Sequence, residues 1–289
     1  MRLNRFDTSK IKVRSSQGGG RRMRGAGGVG CGTIVIAIIA ALIFGVDPMQ
    51  TIGVIQGGQQ QSAPVQTGGD LTEEQVCNMG PYANEACAAL TSLNETWEPI
   101  FARSGVPFEQ PTLDLYRDGR VMTQGCGGAT SASGPFYCPA DLGIYIDTSF
   151  YDQLAQMSGT RGDFARLYVI AHEYGHHIQN VLGLADQVRS AKQQNPRGAN
   201  QLQVRMELQA DCYAGMWAGL NRDRIEPGDL QEGMAAASAI GDDTLQRNAG
   251  QRINPEGFTH GTSAQRREAL QRGLQAKDLN ACSTYFQQG

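Results

Sequence analysis

Histidine is scarce in this 289-residue chain, CxxC pairs are absent and net charge is almost nil. Each shortage narrows the field. A formal charge of −3 argues against general nucleic-acid binding. Without a CxxC pair, a zinc ribbon is excluded. No internal repeat is visible, which sets aside repeat architectures. Only His172, His176, His177 and His260 supply imidazole, so any chemistry that needs it is confined to two short stretches.

Charge is also missing locally. From Gly25 to Val46 no residue is charged, and Thr33–Val46 reads TIVIAIIAALIFGV. Before it, residues 1–24 carry eight Lys/Arg against one acid, a surplus of +7 that leaves −10 on the rest. Uncharged residues over 25–46 are long enough to span a bilayer core. A basic flank before a single span predicts an N-terminus in the cytoplasm and the bulk outside. A cleaved signal peptide is the rival reading, weakened by the long basic region and by the lack of a small-x-small cleavage site. Gln56–Asp70 is rich in Gly and Gln and reads as a tether. The expected layout is a basic cytoplasmic segment (1–24), a transmembrane anchor (25–46), a flexible linker (47–70) and one folded domain (71–289).

Six of the seven cysteines (Cys77, Cys87, Cys126, Cys138, Cys212 and Cys282) lie in that domain. Placed outside the cytoplasm they could persist as disulfides. Fifteen pairings are open. Proximity favours Cys77–Cys87 and Cys126–Cys138, which leaves Cys212–Cys282.

Thr72-x-x-Gln75 resembles a capping box. Residues 83–105 have helical spacing, with Pro99 as a kink or stop. Residues 112–123 alternate around Asp118-Gly119, a hairpin signal, and residues 135–147 read as a second hairpin. Helical patterns follow over 149–158, 163–182, 200–220, 229–247 and 263–275. Strands followed by helices predict an α+β domain, mostly helical, with a small antiparallel sheet. The strand at Ile144–Asp147 is the expected edge for an extended peptide.

Phe164–Leu182 reads FARLYVIAHEYGHHIQNVL and contains His172-Glu173-x-x-His176. On a helix, His172 and His176 share a face and can hold one ion. Glu173 lies one step round, where it reaches a water activated by zinc rather than the ion itself. Gly175 lets another backbone approach. His177 falls outside the spacing and reads as a polar neighbour, and Tyr174 reads as packing.

A third histidine ten residues after the first would mark another class of zinc site, but that position is Leu182. Glu207, in RMELQADCYAGMW, can complete a His2Glu set, with Asp211 holding a histidine N–H. Asp211 as the ligand in place of Glu207 is the alternative. His260 stands before a helix that Thr262 or Ser263 caps, where it can donate to an oxyanion. Arg266 is positioned to pair with Glu207 or Asp211.

VIAHEYGHHIQN, RMELQADCYAG, GPFYCPADLGIYIDTSFYDQL, AIGDD and FTHGTSAQRR together resemble the bacterial neutral zinc metallopeptidase family over about residues 71–289. The resemblance implies a gluzincin-type (zincin-like) fold, Zn2+ on His172, His176 and Glu207, and Glu173 as base. It also implies a single-pass bacterial cytoplasmic-membrane protein with a periplasmic or other extracytoplasmic catalytic domain. HGTSAQR more loosely resembles the His-to-Arg segment of membrane-associated zinc peptidases, which favours His260 as a catalytic group and Arg266 as a supporting one. The expected activity is a zinc endopeptidase acting on protein or peptide. The alternatives are a zinc-stabilised binding module and a hydrolase of non-protein amides such as cell-wall peptide.

Overall fold

The computed structural model describes residues 1–3, 6–16, 71–117 and 119–286. A single 3-10 turn (Thr8–Lys10) leads into its first strand, β1 (Lys12–Ser15). Helices α1 (Glu73–Cys77) and α2 (Pro81–Ser104) follow. Thr72 and Gln75 cap α1 reciprocally, as their spacing predicts. Pro99 lies inside α2, which runs on to a left-handed Gly105 at φ 66°.

Five short strands come next: β2 (Thr112–Tyr116), β3 (Arg120–Met122), β4 (Gly128–Thr130), β5 (Phe136–Cys138) and β6 (Gly143–Asp147). One sheet has the order β1-β2-β6-β5; β3 and β4 form a separate antiparallel pair. The first three strands of the larger sheet are parallel, and only β5 runs antiparallel to β6. The expected antiparallel sheet is therefore corrected to a mixed, mainly parallel one. The hairpin expected over 112–123 does not form, because β2 pairs with β1 and β6 while β3 pairs with β4. Asp118 of its proposed turn lies outside the described residues. Every residue of β6 is buried, as in a strand covered on both faces. Ile144–Asp147 is thus a central strand, and the edges are β1 and β5.

The remainder is helical: α3 (Phe150–Ser158), α4 (Asp163–Val181), α5 (Leu184–Gln194), α6 (Ala199–Leu220), α7 (Asp229–Ala239), α8 (Asp242–Asn248), α9 (Ser263–Gln275) and α10 (Asn280–Ser283). The helix expected over 229–247 breaks at Ile240–Gly241, where a Cβ on Gly241 would stand 2.3 Å from the Ser263 nitrogen. Every residue from Met206 to Ala218 is buried, so α6 is the central helix. It crosses α4 closely: a Cβ on Gly175 would lie 2.8 Å from the Ala210 Cα. Trp97, Tyr213, Phe164 and Trp217 fill the space around it, in an edge-on and a stacked pair. All three expected disulfides are present.

The membrane layout is corrected. No helix among the described residues is long and apolar enough to cross a membrane. The anchor expected at 25–46 lies outside the described residues. Moreover, β1 is hydrogen-bonded into the same sheet as β2. Paired strands stand about 4.8 Å apart, whereas a bilayer core is about 30 Å thick. A cytoplasmic residue 12–15 segment and an extracytoplasmic domain cannot both hold. The fold is a mostly helical domain with a small sheet, and the N-terminal strand belongs to it.

Candidate metal centre

Helix α4 starts at Asp163, whose carboxylate suits the positive end of the helix dipole. The Phe164 N–H in its first turn donates to Glu232 of α7 at 3.2 Å. Further along, His172, Glu173 and His176 face α6, which brings Glu207 and Asp211 on one face. His172 Nε2 lies 3.2 Å and His176 Nε2 3.6 Å from Glu207 Oε2. Three potential ligand atoms from these residues all fall within 4.8 Å of one another. A tetrahedral zinc site with bonds of about 2.1 Å separates its donors by about 3.4 Å. The donor set fits such an ion in both chemistry and spacing.

The other ring nitrogens are spoken for. His172 Nδ1–H donates to Asp211 Oδ1 at 2.8 Å, and His176 Nδ1–H donates to Gln179 Oε1 at 2.9 Å. Each bond leaves an Nε2 lone pair aimed at the common centre. Asp211, not Glu207, is thus the carboxylate on the histidine N–H. It is completely buried and also accepts from Tyr168 Oη at 2.6 Å. Arg266 grips it with two bonds, Nε to Oδ2 at 2.8 Å and Nη2 to Oδ1 at 2.9 Å.

Electrostatics follow from this packing. Burial opposes the charged form of Asp211, but Arg266 and His172 outweigh it and hold the carboxyl at about 2. Burial likewise opposes protonation of His172, yet Asp211 and Glu207 push the imidazole up to about 9 in the metal-free chain. Metal binding at Nε2 therefore competes with a proton. Glu173 is raised above the usual carboxylate range by burial, against the opposing pull of His172 and His176. Among the described residues no hydrogen bond is made to the Glu173 carboxylate, and the residue is only 6% exposed.

His260 comes to the same region, where it and Glu207 act on each other's charge. Burial lowers its proton affinity, but Glu207 and Asp242 more than offset this. Its Nδ1 shares a hydrogen bond with Thr259 Oγ1 at 2.9 Å and lies 3.4 Å from Asp242 Oδ1. Asp242 Oδ2 accepts the backbone N–H groups of Thr259, His260 and Gly261 at 2.8, 2.7 and 3.0 Å. Thr262 and Gln265 then cap α9 reciprocally.

His177 stands apart: its Nε2–H donates to the Glu109 carbonyl at 2.7 Å, so its Nδ1 accepts from Tyr137 Oη at 3.0 Å. Burial lowers it to about 4. It is a buried polar residue bonded at both ring nitrogens, outside the donor set. Asp163, Asp229 and Glu232 form another acidic group. The Met1 ammonium engages Asp163 at 3.0 Å and Asp229 at 2.8 Å, and Glu232 serves α4.

Sequence reasoning missed Tyr168, Gln179, Gln203 and Asp242. The first three have a helical signal, standing four before His172, three after His176 and four before Glu207. Asp242 has no helical signal, because its loop lies 17 to 19 residues away, and only its place in the AIGDD block marks it.

Geometry defines a class first: a helical domain in which two histidines of HExxH and a glutamate of a second helix converge. Comparison with known proteins is more specific. Residues 4–285 match the family described as "Putative neutral zinc metallopeptidase", and the chain belongs to that family. The Escherichia coli K12 "Uncharacterized protein YpfJ" is 40% identical over 292 residues, 97% of each chain. The Mycobacterium tuberculosis H37Rv "Uncharacterized protein Rv2575" is 39% identical over 269 residues, 85% of each. No solved structure matches the chain at a significant level.

Proposed function

We propose that the chain is a zinc-dependent endopeptidase in which His172, His176 and Glu207 hold Zn2+ and Glu173 is the general base. The observation that carries the reading is the convergence of three donor atoms whose histidines are both fixed in the Nε2-binding tautomer. When bound, zinc supplies Lewis-acid activation of a water and polarisation of a carbonyl.

The chain's own residues supply the rest. Glu173, buried and raised by that burial, takes a proton from the attacking water and can return it to the leaving amine. His260, held by the Asp242-clamped loop, donates to the oxygen on which negative charge develops. Asp211 and Arg266 keep His172 in register. The family implies a protein or peptide substrate. An extended peptide has an available sheet edge at β5, which packs on α4 through Tyr137 and His177.

A zinc-stabilised binding module needs the three ligands but no base. A buried Glu173 without a protein partner among the described residues favours catalysis, since a purely structural carboxylate at this burial would be paired. The test uses the purified protein on a casein-like substrate, with and without chelator, together with its zinc content. Chelation should abolish hydrolysis and zinc should restore it, and Glu173→Ala should keep the metal while losing turnover. One zinc per chain with undiminished hydrolysis by Glu173→Ala would sink the mechanism.

A further inference from the structure

The two ligand histidines are oriented by different chemistry. Behind His172 stands the charged Asp211–Arg266 pair. Behind His176 stands a neutral relay. Gln179 Oε1 accepts the His176 Nδ1–H at 2.9 Å, and Gln179 Nε2 donates to the Met206 carbonyl at 2.7 Å and to Gln209 Oε1 at 3.0 Å. Gln209 Nε2 in turn donates to the Cys282 carbonyl at 3.0 Å. Both amides are buried, Gln179 at 0% and Gln209 at 2% exposure.

An amide can present oxygen or nitrogen to its neighbour, so each glutamine alone leaves its direction open. Here the far ends remove that freedom. Met206 and Cys282 contribute backbone carbonyls, which only accept. They oblige Gln209 to donate outward and Gln179 to donate onward, which leaves Gln179 with oxygen toward His176. A flip of Gln179 would set an NH2 group against Nδ1 and favour the tautomer that carries its proton on Nε2, where the metal would bind. The last carbonyl belongs to Cys282, whose sulfur is bonded to Cys212 on α6, five residues after Glu207.

We infer that Gln179 and Gln209 are positioning residues for His176, and that the Cys212–Cys282 disulfide anchors their relay, so that breaking this one bond loosens the metal. The inference rests on the zinc-site reading above. Loss of this disulfide at α10 would reach the ligand through three hydrogen bonds without touching any ligand atom.

The experiment measures zinc affinity by competition with a chromogenic chelator, for the full chain and for Gln179→Leu, Gln209→Met and the paired Cys212→Ala/Cys282→Ala. Circular dichroism accompanies each. Loss of a partner behind a ligand typically costs about 10- to 100-fold in metal affinity. Losses in that range are expected for Gln179→Leu, and smaller ones of several-fold for Gln209→Met and the cysteine pair. The paired Cys126→Ala/Cys138→Ala, which removes the bond between β5 and the β3–β4 turn, should retain full affinity. Should the cysteine pair fail to fold, Gln209→Met decides alone, since it cuts the relay and leaves the disulfide intact. A parent chain that takes up no zinc overturns the metal reading itself. A parent that binds zinc while folded Gln209→Met binds equally well overturns the relay.

Discussion

Gln203 donates through Nε2 to Glu207 Oε1 at 2.7 Å, one turn away on α6, and so turns the other oxygen toward the two histidines. Its own direction is set by Lys192, which donates to Gln203 Oε1. Gln203 thus favours one-oxygen ligation by Glu207. Gln203→Leu preserves bulk but leaves Oε1 unbonded in a buried setting. Zinc affinity should fall by about 10-fold, read by chelator competition, and the unbonded Glu207 oxygen should lower stability by about 1–3 kcal/mol. Unchanged affinity would remove Gln203 from the site.

Arg266 and Asp211 are both almost wholly buried, and each is the other's main partner. Removing one member of a buried pair leaves an uncompensated charge, which costs about 3–5 kcal/mol. Arg266→Met should lower unfolding stability by that order in urea titration, and zinc affinity with it. The double change Arg266→Met/Asp211→Leu should recover part of the stability but none of the affinity, because His172 then lacks its acceptor. Equal loss in both variants would contradict this.

What the sequence disclosed follows the range of the interactions. His172, His176, Glu207 and Asp211 are legible because each pair is local to one helix turn and carries unusual chemistry. The capping boxes at Thr72 and Thr262 are local for the same reason. Gln179 and Gln209 pass unnoticed because a neutral amide on a helix looks like ordinary surface, and only tertiary packing buries it. Ile144–Asp147 was misplaced as an edge because a parallel neighbour leaves no turn signal between strands. Its partner β2 is about 30 residues earlier, and β1 a further 100. Basic residues in the first segment concealed β1, since Arg14 finds its acid only at Asp114.

Asp243 ties the start of α9 to α8, accepting the Ser263 N–H at 2.7 Å and its hydroxyl at 3.0 Å. Burial would raise its carboxyl, but the Ser263 and Thr244 bonds and the Arg247 charge outweigh this, so it sits below the usual range. A depressed carboxyl contributes stability that is complete above the unfolded pKa, about 4. That contribution is lost as pH falls through the lower folded value. Asp243→Asn should therefore be less stable than the parent at pH 6, and the gap should narrow as pH falls below about 4. Urea titrations at several pH values measure it, and a gap that widens toward acid would reverse the sign.

Residues 12–15 complete the sheet, and the contacts around them say how much the domain depends on them. Asp114 on β2 is fully buried, and it accepts Arg14 Nε at 2.6 Å, the Ser16 N–H at 3.1 Å and the Ser16 hydroxyl at 2.8 Å. Arg14 Nη2 also donates to Tyr145 Oη, which in turn donates to Asp141. Ile11 and Val13 enter the main core beside Leu113 and Ile144. Each buried side chain of that size contributes about 1.5–3 kcal/mol, and a buried acceptor that loses its donor costs about 1–3 kcal/mol. Arg14→Met should then lower stability by about 1–3 kcal/mol, since Ser16 still serves Asp114. A chain starting at residue 17 loses all of these at once and bares the β2 edge, which invites pairing with other copies. It should unfold at clearly lower urea and aggregate on concentration. If that shorter chain kept the parent's urea midpoint, the N-terminal strand would be an accessory rather than part of the domain.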